Sequence, residues 1–390
     1  MSAVRGNDKA DQSWRERNVL LPRLPTLIEI MFLKQLNLVN FRNYSKARFS
    51  FSNETTLIVG PNASGKTNIL EAIYYLAVGK SFRAEKEKEA IKQEEQVGRI
   101  KGIVGDTELE IILTDGESAA KWRKKFLING VARRQADFLG KFYAVLFAPR
   151  SLELITGSPS LRREFFDLAI QPLDKEYNRA LSSYVHGLRR RNKLLEAIRD
   201  EGADRNQLIF WDELLIKNGN VITAKRCEFV DFLNSRDVDD GGRQIVYDSS
   251  EISRERLNRY QGEEVAAGMT LVGPQRDDFG IETQGGNIRL YGSRGEPRIS
   301  RDVRIYGSRG EQRMAVFWLK IGEMEYVESR TGEKPMLLLD DIFSELDHEH
   351  RRKLLEIIPE QQTIITTTDL HFIEKSLLGE MKIIEVGEDG

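Results

Sequence analysis

The chain has 390 residues, 40% hydrophobic and 31% charged, a soluble globular balance with room for more than one core. Its formal net charge of -2 gives no global pull towards nucleic acid or membrane, so any nucleic-acid surface must be a local patch of Lys and Arg. The single cysteine, Cys227, excludes an internal disulfide and a Cys-based zinc cluster and points to a reducing, cytoplasmic setting.

Residues 1–18 are polar and charged, and the apolar stretch after them is broken by Pro22, Arg23, Pro25 and Glu29. It is too short and too interrupted to span a bilayer. Residues 1–30 are expected to be a disordered extension or the product of an over-called start codon, with Met31 directly before the first clean strand. FLKQLNLVNF (32–41) alternates apolar and polar, the mark of a strand with one buried face, and KARFSF (46–51) reads as its partner. TTLIVG (55–60) is a continuous apolar run, as in a central strand. NILEAIYYLAVG then has apolar residues at helical spacing.

Residues 97–131 read as a small β-meander with an Asn-Gly turn at Asn129–Gly130, and FYAVLFAP (142–149) returns to a buried strand. From Pro159 to about Leu233 the period changes to helical. Ser158 is placed to cap the first helix and Pro159 to open it. Two longer helices are expected near 174–201 and 206–234, broken at Gly202–Asp204. Strands return at DFGIET and NIRLY. Gln312 to Val327 reads as a helix, MLLLDD (336–341) as a buried strand, then a helix over ELDHEHRRKLLEII and a strand at TIITTTD (363–369).

GPNASGKT (60–67) fits G-x-x-x-x-G-K-[ST] with a strand before it and a helix after it. Gly60 and Gly65 let backbone N–H groups turn inwards around a polyphosphate, with Pro61, Asn62, Ala63 and Ser64 completing the loop. Lys66 would reach the β- and γ-phosphates of ATP, and Thr67 would ligate Mg²⁺. The strand end at 340–341 supplies the acidic element such a loop needs. Asp340 would hold the metal, directly or through water, and Asp341 would orient and polarise the attacking water. Lys66 and Asp341 are thus the candidate catalytic residues, and Thr67 and Asp340 the candidate metal ligands.

The hexapeptide YGSRGE occurs at 291–296 and again at 306–311. The second copy runs straight into a helical pattern with apolar Met314, Phe317, Trp318, Ile321, Met324 and Val327, so Ser308 and Gly310 stand at a helix N-terminus with free backbone donors. The first copy is followed by Pro297 and a strand pattern, so Ser293 and Gly295 fall in a hairpin turn. The second copy resembles the Ser-x-Gly-Gln/Glu element of ABC-superfamily ATPases, and that resemblance implies that Ser308 and Gly310 bind the γ-phosphate of a nucleotide held by a partner subunit.

With FLKQLNLVNFRNY, GPNASGKTNILEAIYYL, SPSLRREFFD, GPQRDD, YGSRGEQRM, LLLDDIFSELD and ITTTDLH in place, the chain resembles the RecF family of bacterial recombinational-repair ATPases, related to SMC and Rad50 proteins. The resemblance runs from about Met31 to near the C-terminus. It implies an α/β fold: an ABC-type P-loop ATPase head, mixed sheet plus β-meander, made from 31–157 and 268–390, with a helical lobe at 158–267 inserted between them. It implies an ATP-dependent homodimer on double-stranded or gapped DNA, weak ATP hydrolysis, and action with RecR and RecO to help load RecA. SELD (344–347) matches the D-loop, which puts Asp347 at the dimer interface and beside its nucleotide. Two positions depart from the wider ABC pattern: Thr368 stands where transporters have a switch histidine, and LFAPRSLELI offers Arg150 and no glutamine in the Q-loop region.

For DNA contact the sequence offers GLRRRNKLLEAIR (187–199), with Arg189, Arg190, Arg191, Lys193 and Arg199, a cluster that would make binding salt-sensitive. Arg83, Lys86 and Lys88, and the segment WRKKF (122–126), are further candidates. Competing readings are another SMC-like repair head, a transporter ATPase subunit and a small-molecule P-loop kinase. Long heptad arms are missing for the first. About 240 residues separate Thr67 from Ser308, far more than in a transporter subunit. A kinase would need neither Ser308–Gly310 nor SELD.

Overall fold

The structure, a computed structural model, describes residues 32–115, 124–236, 242–283, 289–291, 297–299, 301–302, 307–344, 348–368 and 381–387. The expected extension at 1–30, the Ser293–Gly295 turn and Asp347 lie outside the described residues. Strands β1 (Leu33–Phe41), β2 (Tyr44–Ser50) and β3 (Thr55–Val59) precede helix α1 (Lys66–Val78). Then come β4 (Val97–Val104), β5 (Thr107–Thr114), β6 (Lys124–Ile128), β7 (Val131–Arg133), the one-turn α2 (Gln135–Phe138) and β8 (Ala144–Phe147). Helices α3 (Glu153–Thr156), α4 (Pro159–Ile170), α5 (Lys175–Glu201) and α6 (Leu208–Asn234) follow, then β9 (Gln244–Asp248) and α7 (Arg254–Ala267). The chain continues through β10 (Asp278–Thr283), β11 (Arg289–Tyr291), β12 (Pro297–Ile299), β13 (Arg301–Asp302), α8 (Arg309–Thr331), β14 (Met336–Asp340), α9 (His348–Ile357), β15 (Thr363–Thr367) and β16 (Lys382–Glu385).

The head expected from the sequence is built of two sheets. One has six antiparallel strands in the order β2-β1-β4-β5-β6-β7, and its β6–β7 hairpin turns on Asn129 and Gly130, both with positive φ, as an Asn-Gly turn requires. The other has five strands in the order β16-β3-β15-β14-β8, every pair parallel. Chain ends far apart in sequence meet there, with β3 and β8 from the N-terminal half and β14, β15 and β16 from the C-terminal half. Alternation along these buried strands sends Ile58, Leu146, Leu338 and Ile364 to one core and Leu57, Val145, Leu337, Leu339 and Ile365 to another.

α1 lies in the first of these cores, among residues of both sheets. The sequence suggests one apolar stripe, but the helix is buried almost all round, from Ile69 to Val78, because a sheet covers each side. Even Glu71 is fully buried. Arg42, on the β1–β2 turn, neutralises it with two hydrogen bonds at 2.9 and 2.5 Å.

The helical section forms its own core, in which Phe165, Phe166, Tyr184, Leu215, Phe229 and Phe279 join α4, α5, α6 and β10. α5 and α6 pair across the break read at Gly202–Asp204, and Gly202 ends α5 in a left-handed conformation. Ser158 does precede α4, but its hydroxyl bonds Ser160 Oγ at 2.6 Å rather than capping a backbone N–H. β9, α7 and β16 are elements that the sequence patterns did not mark. Among the described residues, no helix is long and apolar enough to cross a membrane.

Candidate nucleotide-binding site

The loop 60–65 joins the C-terminal end of β3 to the N-terminus of α1, at the sheet edge where β15 and β14 also end. Ala63 and Gly65 have φ of 66° and 101°, the left-handed turns that aim successive N–H groups into one concavity. Gly65 must be glycine twice over. A Cβ there would meet Tyr44 Oη at 2.6 Å, and its φ excludes an unstrained side chain. At Gly60 a Cβ would lie 2.2 Å from the Val386 carbonyl, so β16 presses its exit against the loop.

Lys66 Nζ donates to the carbonyls of Gly60 and Pro61, each at 2.7 Å. Burial lowers its pKa, and the nearby Asp341 and Asp340 pull it back up. Thr67 Oγ1 donates to Asp340 Oδ1 at 2.8 Å, joining residues 273 positions apart. Ser64 Oγ is buried with no protein partner among the described residues, a donor left for something in the cradle. Asp341 sits just past β14 with φ of 49°, held there by its N–H on the Thr366 carbonyl at 3.2 Å.

This set fits a nucleotide with a hard cation. Thr67 and Asp340 offer oxygen only, and among the described residues no group of three or more His, Cys, Asp or Glu stands ready to hold a metal alone. A Mg²⁺ held by so few protein oxygens would complete its shell with phosphate and water.

Ser308 caps α8 as a reciprocal box: its Oγ accepts from Glu311 N–H at 3.2 Å, while Glu311 accepts from Ser308 N–H at 2.7 Å. Ser308, Arg309 and Gly310 are exposed. β11, which ends on Tyr291 of the first YGSRGE copy, pairs antiparallel with β12, Tyr291 opposite Pro297. Thr368 is exposed just after β15. Arg150, on a single turn after β8, pairs with Glu153 at 3.2 Å and donates to the Phe82 carbonyl at 3.3 Å.

Sequence reading missed Tyr44, Asn43 and Asn68 as neighbours of the loop. Tyr44 is buried against Gly65, its hydroxyl has no hydrogen-bond partner among the described residues, and burial pushes its pKa up to about 12. Asn68 Nδ2 donates to Asn43 Oδ1 at 2.8 Å, and Arg83 NH1 donates to Asn68 Oδ1 at 2.8 Å. The FRNY run at 41–44 was the available signal. Its side chains reach the loop only because the β1–β2 turn folds over it.

The basic run needs one correction. Arg189, Arg190, Lys193 and Arg199 are exposed, but Arg191 is 1% exposed and bound to Asp212 and Glu264, each at 2.7 Å. It lies one helical position from the outward face, and its guanidinium holds α5, α6 and α7 together. Arg199 pairs with the neighbouring Asp200 at 2.8 Å.

Comparison with known proteins agrees with this geometry. Residues 32–386 match the RecF/RecN/SMC N terminal domain. The DNA replication and repair protein RecF of Herpetosiphon aurantiacus is 35% identical over 91% of this chain and 98% of its own. That of an Exiguobacterium species is 34% identical over 91% and 97%. A solved structure described as the recombination mediator protein RecF-ATP in the RecFOR pathway superposes with a TM-score of 0.78 at 32% identity, over 89% of this chain and 94% of that one. With its α/β P-loop head and inserted helical lobe, this chain belongs to the RecF family.

Proposed function

We propose that this protein is an ATP-dependent, DNA-binding switch of DNA replication and recombinational repair. The observation that carries the reading is the Thr67–Asp340 hydrogen bond at 2.8 Å, which joins the loop to the acidic strand end, as a shared phosphate and cation site would need. The ATP held by the similar solved structure supports the same ligand here. The backbone of 60–65 would cradle the phosphates, Lys66 would leave its carbonyl partners for them, and Thr67 with Asp340 would hold Mg²⁺. The cation would supply charge neutralisation at the phosphates. Asp341, at the strand end, would hold and polarise a water.

The surface position of Ser308 and Gly310 supports a second role. The N-terminus of α8 would meet nucleotide carried by another copy, closing a homodimer around DNA, and Asp347 would lie at that interface. ATP drives such closure only through its higher affinity for the closed pair. We assign the head to 31–157 and 268–390 and the lobe to 158–267, with weak hydrolysis reopening the dimer. RecR, RecO and RecA are the expected partners, in the cytoplasm.

Sedimentation with and without ATP tests this. The native chain should dimerise with ATP and DNA; Lys66→Ala should stay monomeric and bind no ATP, while Ser308→Arg should bind ATP yet stay monomeric. A native chain that remains a monomer with a non-hydrolysable analogue and DNA would overturn the reading.

A further inference from the structure

The site contains a hydroxyl that none of its motif roles accounts for. Thr366 lies on β15 opposite Asp340 of β14 and is almost fully buried. Its Oγ1 donates to Asp340 Oδ1 at 2.8 Å, the same oxygen that Thr67 Oγ1 reaches at 2.8 Å. The same Thr366 hydroxyl accepts from Asp341 N–H at 3.2 Å. The Leu339 carbonyl, at 3.4 Å, is the weaker acceptor for its one proton.

We propose that Thr366 is a positioning residue for the cation and water chemistry of this site, a role that rests on the ATP-binding reading above. A carboxylate held by Thr67 alone is free to turn about its Cβ–Cγ bond, and Thr67 is itself the hydroxyl that would face the cation. The second bond, from a rigid central strand, fixes that rotation independently of what Thr67 does. Asp341 needs the same residue for a different reason. Its backbone is left-handed without being glycine, and such a conformation persists only where its surroundings hold it. Thr366 holds it with both its carbonyl and its hydroxyl. One side chain therefore sets the metal-side carboxylate and the turn that carries the water-side carboxylate. A threonine serving only to fill the sheet would be replaceable by valine, which has nearly the same shape and no hydroxyl.

The test is calorimetric titration of the full chain with a non-hydrolysable ATP analogue, in Mg²⁺ and in EDTA. The quantity read is the ratio of the two dissociation constants. Thr366→Ser should keep the native ratio. Thr366→Val should match the native affinity in EDTA and lose at least about tenfold of the Mg²⁺ enhancement, the usual scale for a hydrogen bond to a charged group. Thr366→Ala gives the same readout should the valine chain not fold. A native ratio in the valine or alanine chain, or a loss as large in serine as in valine, overturns the proposal. If the native chain binds the analogue in neither medium, the ATP-binding reading fails and this inference falls with it.

Discussion

Asp277 is fully buried and accepts from Arg226 NH1 at 2.7 Å, from Ser250 N–H at 2.7 Å and from the Tyr247 hydroxyl. Burial pushes its carboxyl up in pKa, and Arg226 is the main force pulling it back. Arg226 also bonds Asp167 at 2.8 Å and the Pro274 carbonyl at 2.9 Å, and Arg162 grips Asp278 through two nitrogens, at 2.5 and 3.1 Å. The family marks SPSLRREFFD and GPQRDD thus meet in one buried network that ties α4 and α6 to β10. These bonds hold the lobe together, and among the described residues none of them runs to the loop 60–65. Asp277→Ala strands one arm of a buried guanidinium and two further donors, a loss that should cost about 3–5 kcal/mol. Asp277→Asn keeps an acceptor and should lie between. Urea unfolding would show the order; an alanine chain as stable as the native one would refute it. The gathering of Lys66, Thr67 and Asp340 around the loop was legible because a motif fixes both type and spacing. Tyr44 and Thr366 were not, because neither belongs to a spaced motif: the β1–β2 turn brings the first to Gly65 and strand pairing sets the second opposite Asp340.

At the level of elements, legibility followed length and punctuation. α5 and α6 have many turns of helical period, and the polar Gly202–Asp204 break between them marked both ends. β16 is a four-residue strand, mostly exposed along its length, so no periodicity announces it. α1 misled for the opposite reason: with apolar contacts on both sides, a stripe is no longer required. The start of α5 illustrates how a cap is wired into packing. Asp174 accepts from Tyr177 N–H at 2.9 Å and pairs with Lys225 of α6 at 3.2 Å. Its burial works against ionisation, but the Tyr177 N–H and Lys225 outweigh it and lower the pKa below 3.8. A depressed carboxylate stabilises the fold above its unfolded pKa, and that contribution disappears as pH falls through the folded one. Asp174→Ala should therefore cost about 1 kcal/mol at neutral pH, the usual worth of an N-cap. The difference from the native chain should shrink below pH of about 4, where an unfolded carboxylate takes up its proton. Thermal melts at the two pH values check both halves; an equal difference at each would contradict the linkage.

Across the whole molecule, two cores share one helix. α8 sets Phe317 and Met324 against the parallel sheet, and Ala315, Trp318, Leu319 and Tyr326 against the lobe. Close-packed contacts on two sides make it a stiff strut, so a force on Ser308 at its tip is passed to the lobe as well as to the head. The lobe also carries exposed Arg189, Arg190 and Lys193 on α5, while the adjoining α6 opens with Ile209 and with Phe210, 63% exposed. A chain with a net charge of -2 has no overall field to hold DNA, so any DNA contact would need a local patch. Replacing Arg189, Arg190 and Lys193 together by Glu removes three cations without touching Arg191, the one that secures the fold. If these residues meet phosphates, log affinity for duplex should fall less steeply with log salt, by a slope change of up to about 3. ATP affinity should stay as in the native chain, because the nucleotide loop opens α1, which packs in a core separate from that of the lobe. Duplex affinity measured across a salt series decides it: an unchanged slope in a normally folded triple variant would move the DNA surface off this lobe, towards the Arg83–Lys88 segment that follows α1.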